Sequence, residues 1–193
     1  LAAEIIWPTN ASRQLSSNFG EFRGDRFHMG IDIKTHGKEG FEVYAIQDGF
    51  ISRMVTNYNG YGKALYLRTT AGRTAVYGHL SVFTEDLETE LYKRQEKLNI
   101  YHTNSYFDST AFRFKKGDII GYTGDTGASF APHLHFEIRK QNGKTLNPLK
   151  QKYSFPDSVY PEIKGVTVFP LRPNTMINGL PIPMELSVKQ GDT

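Results

Sequence analysis

The chain of 193 residues contains no cysteine. A disulfide framework and a thiolate metal site are therefore both excluded, and any bound metal must be held by His, Asp, Glu or water. The absence names no compartment, because reducing and oxidising surroundings both tolerate it. Long apolar runs are missing as well: no stretch approaches the roughly 20 residues of a membrane-spanning helix. The opening, LAAEIIWPTN, lacks the charged and long apolar regions of a signal peptide and has no initiating Met, as expected of a mature or trimmed form. Nor does one sign of charge dominate. The net charge is +3, and the short basic runs at Lys115-Lys116 and between Lys150 and Lys152 read as solvated surface, so no nucleic-acid partner is expected.

What remains is a soluble, globular composition, 38% hydrophobic and 22% charged, in a chain long enough to bury a core. From about Ile31 to Leu80 short apolar segments alternate with turn signals at Gly37, Gly40, Asp48-Gly49, Asn59-Gly60 and Gly72. Closely spaced short strands of this kind predict a mainly β, antiparallel body of sheet or sandwich type, not βαβ units. Residues Glu85 to Asn99 differ: Leu87, Leu91 and Leu98 fall at helical spacing among charges, without Gly or Pro, and predict one short amphipathic helix against the β body. The segment IYHTNSYFDSTAFRF reads as an aromatic-rich connection. Six of the nine prolines lie between Pro156 and Pro183. That shift sets a boundary at about 150–158, with residues 1–154 as the main domain and 155–193 as a small Pro-rich β appendage or the start of a truncated second domain.

Two pairings carry possible chemistry. In APHLHFEIR, residues 131 to 139, a strand places His133, His135 and Glu137 on one face and Leu134, Phe136 and Ile138 on the other. The second set is a core stripe and the first is not. In FHMGIDIKTHG, His28 and Asp32 stand four apart, on one face of a strand or a helix; Gly30 and the β-branched neighbours favour the strand, with Gly30 leaving room for an ion. An H-x-H pair arises by accident about 0.2 times at this histidine content, so neither pairing is decisive alone. Together they offer one carboxylate and two or three imidazoles. Three such ligands and an open position form the pattern of catalytic zinc, although manganese and iron accept the same donors. TAVYGHL adds His79 where a predicted strand ends and turns. His36 and His102 lack partners at useful spacing. Asp25, Asp48, Asp118 and Asp125 sit in turn contexts, which explain them better than acid–base work. Glu137 reads equally well as an acceptor orienting an imidazole and as the partner of a nearby cation.

FHMGIDI, VYAIQDGFI, YGHL and GYTGDTGASFAPHLHFE, in this order and preceded by LSSNFGEFR, resemble the M23 peptidases, the LytM/lysostaphin-type zinc endopeptidases of peptidoglycan. The resemblance spans roughly Leu15 to Pro148. It implies Zn²⁺ held by His28, Asp32 and His135, with His79 and His133 as catalytic residues facing the scissile bond. It further implies peptidoglycan peptides as partner and a periplasmic or secreted location. The chain departs from the family pattern in an insertion at about 83–114, expected to border the groove, and in Ala131 where the family often has Gly. Members that have lost ligands act as activators of other hydrolases or as wall binders, which is the alternative reading.

Overall fold

The computed structural model of the chain describes residues 5–151, 166–170, 172, 174–180 and 182–186. The chain divides into two compact units, Leu1–Phe155 and Pro156–Thr193. In the first, six strands come before the helix: β1 (Leu15–Ser17), β2 (Ile31–Lys34), β3 (Glu42–Tyr44), β4 (Gly49–Thr56), β5 (Lys63–Thr69) and β6 (Thr74–Phe83). Helix α1 (Glu85–Leu98) follows. Then come β7 (Thr103–Tyr106), β8 (Arg113–Phe114), β9 (Ile119–Thr123), β10 (His133–Arg139) and β11 (Thr145–Leu146). The principal sheet runs β1-β2-β10-β6-β5-β4-β7, with every pairing antiparallel. The mainly antiparallel β architecture expected from the sequence is the one observed. In the second unit, β12 (Val166–Val168) and β13 (Met184–Leu186) form an antiparallel pair. The expected boundary lies largely in residues 152–158, outside the described residues.

One face of the sheet carries the core. Ile31, Ile33, Leu65, Leu67, Tyr77, Leu134 and Phe136 are fully buried there, each aliphatic or aromatic side chain contributing roughly 1.5–3 kcal/mol. The alternation along β10 is as read: Leu134, Phe136 and Ile138 enter the core.

Strand β6 changes partner midway. Thr74 to Gly78 pair with β10, whereas Leu80 to Phe83 pair with β9. The switch falls at His79, whose φ of 61° lies in the left-handed region. The strand therefore does not end at His79, as the sequence suggested. It bends there and continues for four residues. Irregularities of this kind re-aim a side chain beside a site.

Helix α1 forms where expected, with Leu87 and Leu91 fully buried, acidic residues in its first turn and Lys97 in its last. Asn99 closes it in the left-handed conformation. Leu98 does not join the apolar stripe: at the last helical residue it is 56% exposed, and Arg94 takes the next turn, lying over the Phe107 ring at 5.0 Å. The segment read as a connection contains β7 and β8, both paired with β4. No helix among the described residues is long and apolar enough to cross a membrane.

Candidate metal centre

Strands β2 and β10 lie side by side with His135 opposite Asp32. Because Ile31 and Ile33 enter the core, Asp32 points to the other face, beside His133 and His135. His28, in the loop before β2, folds over the same spot. His28, Asp32 and His135 are all at least 95% buried. Their atoms form a small triangle: His28 Nε2 is 3.1 Å from His135 Nδ1 and 3.2 Å from Asp32 Oδ1, and His135 Nδ1 is 2.8 Å from Asp32 Oδ1. Ligands around a tetrahedral zinc at its usual bond lengths stand about 3.3 Å apart.

The donor chemistry fits a cation. His28 Nδ1 donates to the Asn18 carbonyl at 2.8 Å, so its Nε2 presents a lone pair to the triangle. His135 Nε2 donates to Glu137 Oε1 at 2.9 Å, so its Nδ1 does the same. Two imidazole lone pairs and a carboxylate oxygen thus converge where only a positive charge resolves their repulsion. With a proton in place of the cation, burial raises the Asp32 pKa, but hydrogen bonds with His135 and His28 outweigh it and hold the carboxyl well below its usual range. Burial disfavours the His135 imidazolium, yet bonds to Asp32 and Glu137 reverse this and push its pKa up. The pocket stabilises positive charge.

Beside the triangle stand the other two histidines. His79 Nδ1 donates to the Thr126 carbonyl at 2.7 Å, and His133 Nδ1 donates to the Ala131 carbonyl at 2.8 Å. In the neutral form of each ring the lone pair therefore lies on Nε2. Their ring centroids are 4.6 Å apart, and His133 Nε2 is 3.6 Å from Asp32 Oδ1. Burial lowers the His79 pKa to about 4, partly offset by its bond to Thr126, so the ring is neutral near pH 7.

Glu137 realises both roles the sequence left open. It is fully buried; Oε1 accepts from His135 and from the Tyr61 hydroxyl, while Oε2 accepts from Arg139 Nε at 2.6 Å. Burial pushes its pKa up, but the bonds to His135 and Arg139 prevail and bring it down to about 2. Tyr61 stacks on the His135 ring, centroid to centroid 4.9 Å. Arg23 reaches back to the other oxygen of Asp32 at 2.5 Å. Tyr61, Arg23 and Arg139 carry no distinguishing pattern in the sequence, and only the fold brings them to the site. The reason for Gly30 also differs from expectation. A Cβ there would lie 2.3 Å from the Phe136 carbonyl oxygen and 2.8 Å from Glu137 Cγ. The missing side chain admits β10 and Glu137, not an ion.

A groove of about 970 Å³ opens over the centre, lined by Arg23, Asp32, His36, His79, Phe130 and His133 among others. His36, set aside in the sequence, is exposed on this wall. No residue of 83–114 lines the groove, which corrects the expected position of the insertion: β7 extends the sheet at the edge opposite β1.

The profile of Peptidase family M23 matches residues 26–96 and 90–148, more than half of the chain. The chain belongs to this family. It therefore carries a metallopeptidase domain of a metal-dependent family, and the M23 match includes all five residues just described. Over 132 residues the M23 domain is 32% identical to the DD-carboxypeptidase/endopeptidase Mpg of Neisseria meningitidis serogroup B, a match covering 68% of this chain and 24% of that protein. The chain thus spans about a quarter of that relative's length. The catalytic domain of the antimicrobial peptidase lysostaphin from Staphylococcus simulans superposes with a TM-score of 0.52 at 25% identity, covering 70% of this chain and 89% of that one. Helicobacter pylori Csd3 does so at 0.53 and 26%, covering 82% of this chain and 37% of that one.

Proposed function

We propose that this M23 domain is a zinc-dependent endopeptidase that hydrolyses peptide bonds in peptidoglycan stems or cross-bridges in the cell envelope, periplasmic or secreted. The observation that carries the reading is the convergence of His28 Nε2, Asp32 Oδ1 and His135 Nδ1, with two further imidazoles next to them. Zinc bound there supplies a water acidic enough to ionise near neutrality and a Lewis acid for the peptide carbonyl. His79 and His133 divide the proton work through their Nε2 atoms. One accepts the proton of the attacking water, and the other, after taking up a proton from solvent at its Nε2, donates to the oxyanion or the leaving amine. Their Nδ1–H bonds to Thr126 and Ala131 hold each ring in the tautomer that this work requires. The open groove suits an extended, flexible peptide. The name of the Neisseria relative supports a peptidoglycan substrate.

The test is incubation of purified protein with cross-linked muropeptides, with and without a chelator, followed by mass analysis of the products. Cleavage that stops on chelation and returns with zinc is expected. His135→Ala is expected to lose bound metal, and His133→Ala to keep it while losing most turnover. Equal metal loss in both variants refutes this division of roles. Intact muropeptides at full metal loading refute the hydrolase and favour a wall-binding or activating domain.

A further inference from the structure

Beyond the metal centre, the same sheet face holds a second cavity. His135, Glu137 and Arg139 share that face of β10, and Arg139 lies about 13 Å along the strand from His135. There a cavity of about 470 Å³ is lined by Arg53, Arg68, Arg139 and Lys140, with Tyr66 and Tyr106 among its walls, and among the described residues no carboxylate lines it. Glu137 neutralises Arg139 alone. The Arg53 guanidinium lies over the Tyr66 ring at 4.7 Å and over Tyr106 at 5.5 Å, with Nε donating to Asn104. Arg139 approaches Tyr66 at 5.8 Å. Two guanidiniums are thus fixed in place by aromatic rings and hydrogen bonds, with much of their side-chain entropy already lost. Neither Arg68 nor Lys140 takes part in an ion pair among the described residues.

With Arg139 paired to Glu137, the charges of Arg53, Arg68 and Lys140 around one hollow still repel one another unless an anion enters, and fixed guanidinium forks match planar or tetrahedral oxyanions. We propose that this cavity is an oxyanion-binding site, taking a carboxylate or phosphate group borne on a chain that also presents apolar surface to Tyr66 and Tyr106. On the peptidoglycan reading the two sources of that group are a stem-peptide carboxylate and a wall-glycan phosphate. The source rests on that reading; the site itself does not.

The experiment is an NMR titration of the full chain, following backbone amides of β4 and β5 and the Nε–H of Arg139, with inorganic phosphate in one arm and a stem tetrapeptide in the other. Saturable shifts in this region are expected in at least one arm, whether or not the tetrapeptide also shifts the groove over the metal centre, and which arm shifts this region identifies the source. Arg68→Gln combined with Lys140→Gln is expected to weaken that binding at least 10-fold. Lys140→Gln alone, at an exposed position, is expected to weaken it measurably and guards against a folding defect in the double variant. No saturable shift with either probe, or unchanged affinity in Lys140→Gln and the double variant, overturns the proposal. Muropeptide cleavage is not part of the readout, so failure of the hydrolase reading leaves the result interpretable.

Discussion

Glu137 links the candidate metal centre to its surroundings, accepting from His135, Tyr61 and Arg139. It fixes the tautomer of His135, and removing its charge loosens that imidazole without removing a candidate ligand. Glu137→Gln is therefore expected to lower metal affinity about 10- to 100-fold, measured by competition with a chromophoric chelator; unchanged affinity would show that Glu137 serves only Arg139. His79 supports a pH prediction. Its folded-state pKa lies at about 4, against the ordinary value of 6.5. Between these values the unfolded chain binds the extra proton and the folded chain does not, so stability falls as pH drops through the window and is unaffected above it. Asn tolerates the left-handed backbone at this position. In metal-free protein, lowering the pH from 7 to 4 is expected to cost the parent about 3 kcal/mol more than His79→Asn. Parallel denaturation curves at both pH values would remove the assigned burial effect.

At the scale of elements, the contact of β2 with β10 determines whether a centre exists at all. Gly30→Ala forces a methyl into the Phe136 carbonyl, a backbone atom that cannot swing aside. A loss of at least about 2 kcal/mol and a drop in metal content are expected together; thermal melting and metal analysis check both, and full stability with full metal would contradict the close approach. The legibility of the elements follows from where their periodicity resides. β10 could be read because histidines and aliphatics alternate in it. β7 could not, because its two buried positions are Thr103 and Ser105, satisfied by hydrogen bonds such as Thr56 Oγ1 to Thr103 and not by apolar contact. An alternation written in hydroxyls looks like a loop. Likewise, α1 announced itself through Leu87 and Leu91, while its end near Leu98 depended on a left-handed Asn99 that hydropathy does not register.

For the whole molecule, the division at residue 155 predicts that a fragment of residues 1–155 folds on its own. It is expected to melt in one cooperative transition and to bind metal as tightly as the full chain; a fragment that remains unfolded would show that the remaining residues complete the core. The histidine and aspartate positions were legible as chemistry because imidazoles interrupt an apolar stripe. Tyr61, Arg23 and Arg139 were not, since tyrosine and arginine are ordinary surface residues until a fold places them. One consequence comes from the distance along the chain between the converging atoms. Asp32 and His135 are separated by 103 residues, so a bound ion joins two ends of the domain much as a clasp joins the ends of a belt. Such a clasp closes only after β2 and β10 have found each other, late in assembly. Metal should therefore leave the refolding rate nearly unchanged and slow unfolding, so that stripping it shortens the lifetime of the native state more than it hinders the return to it.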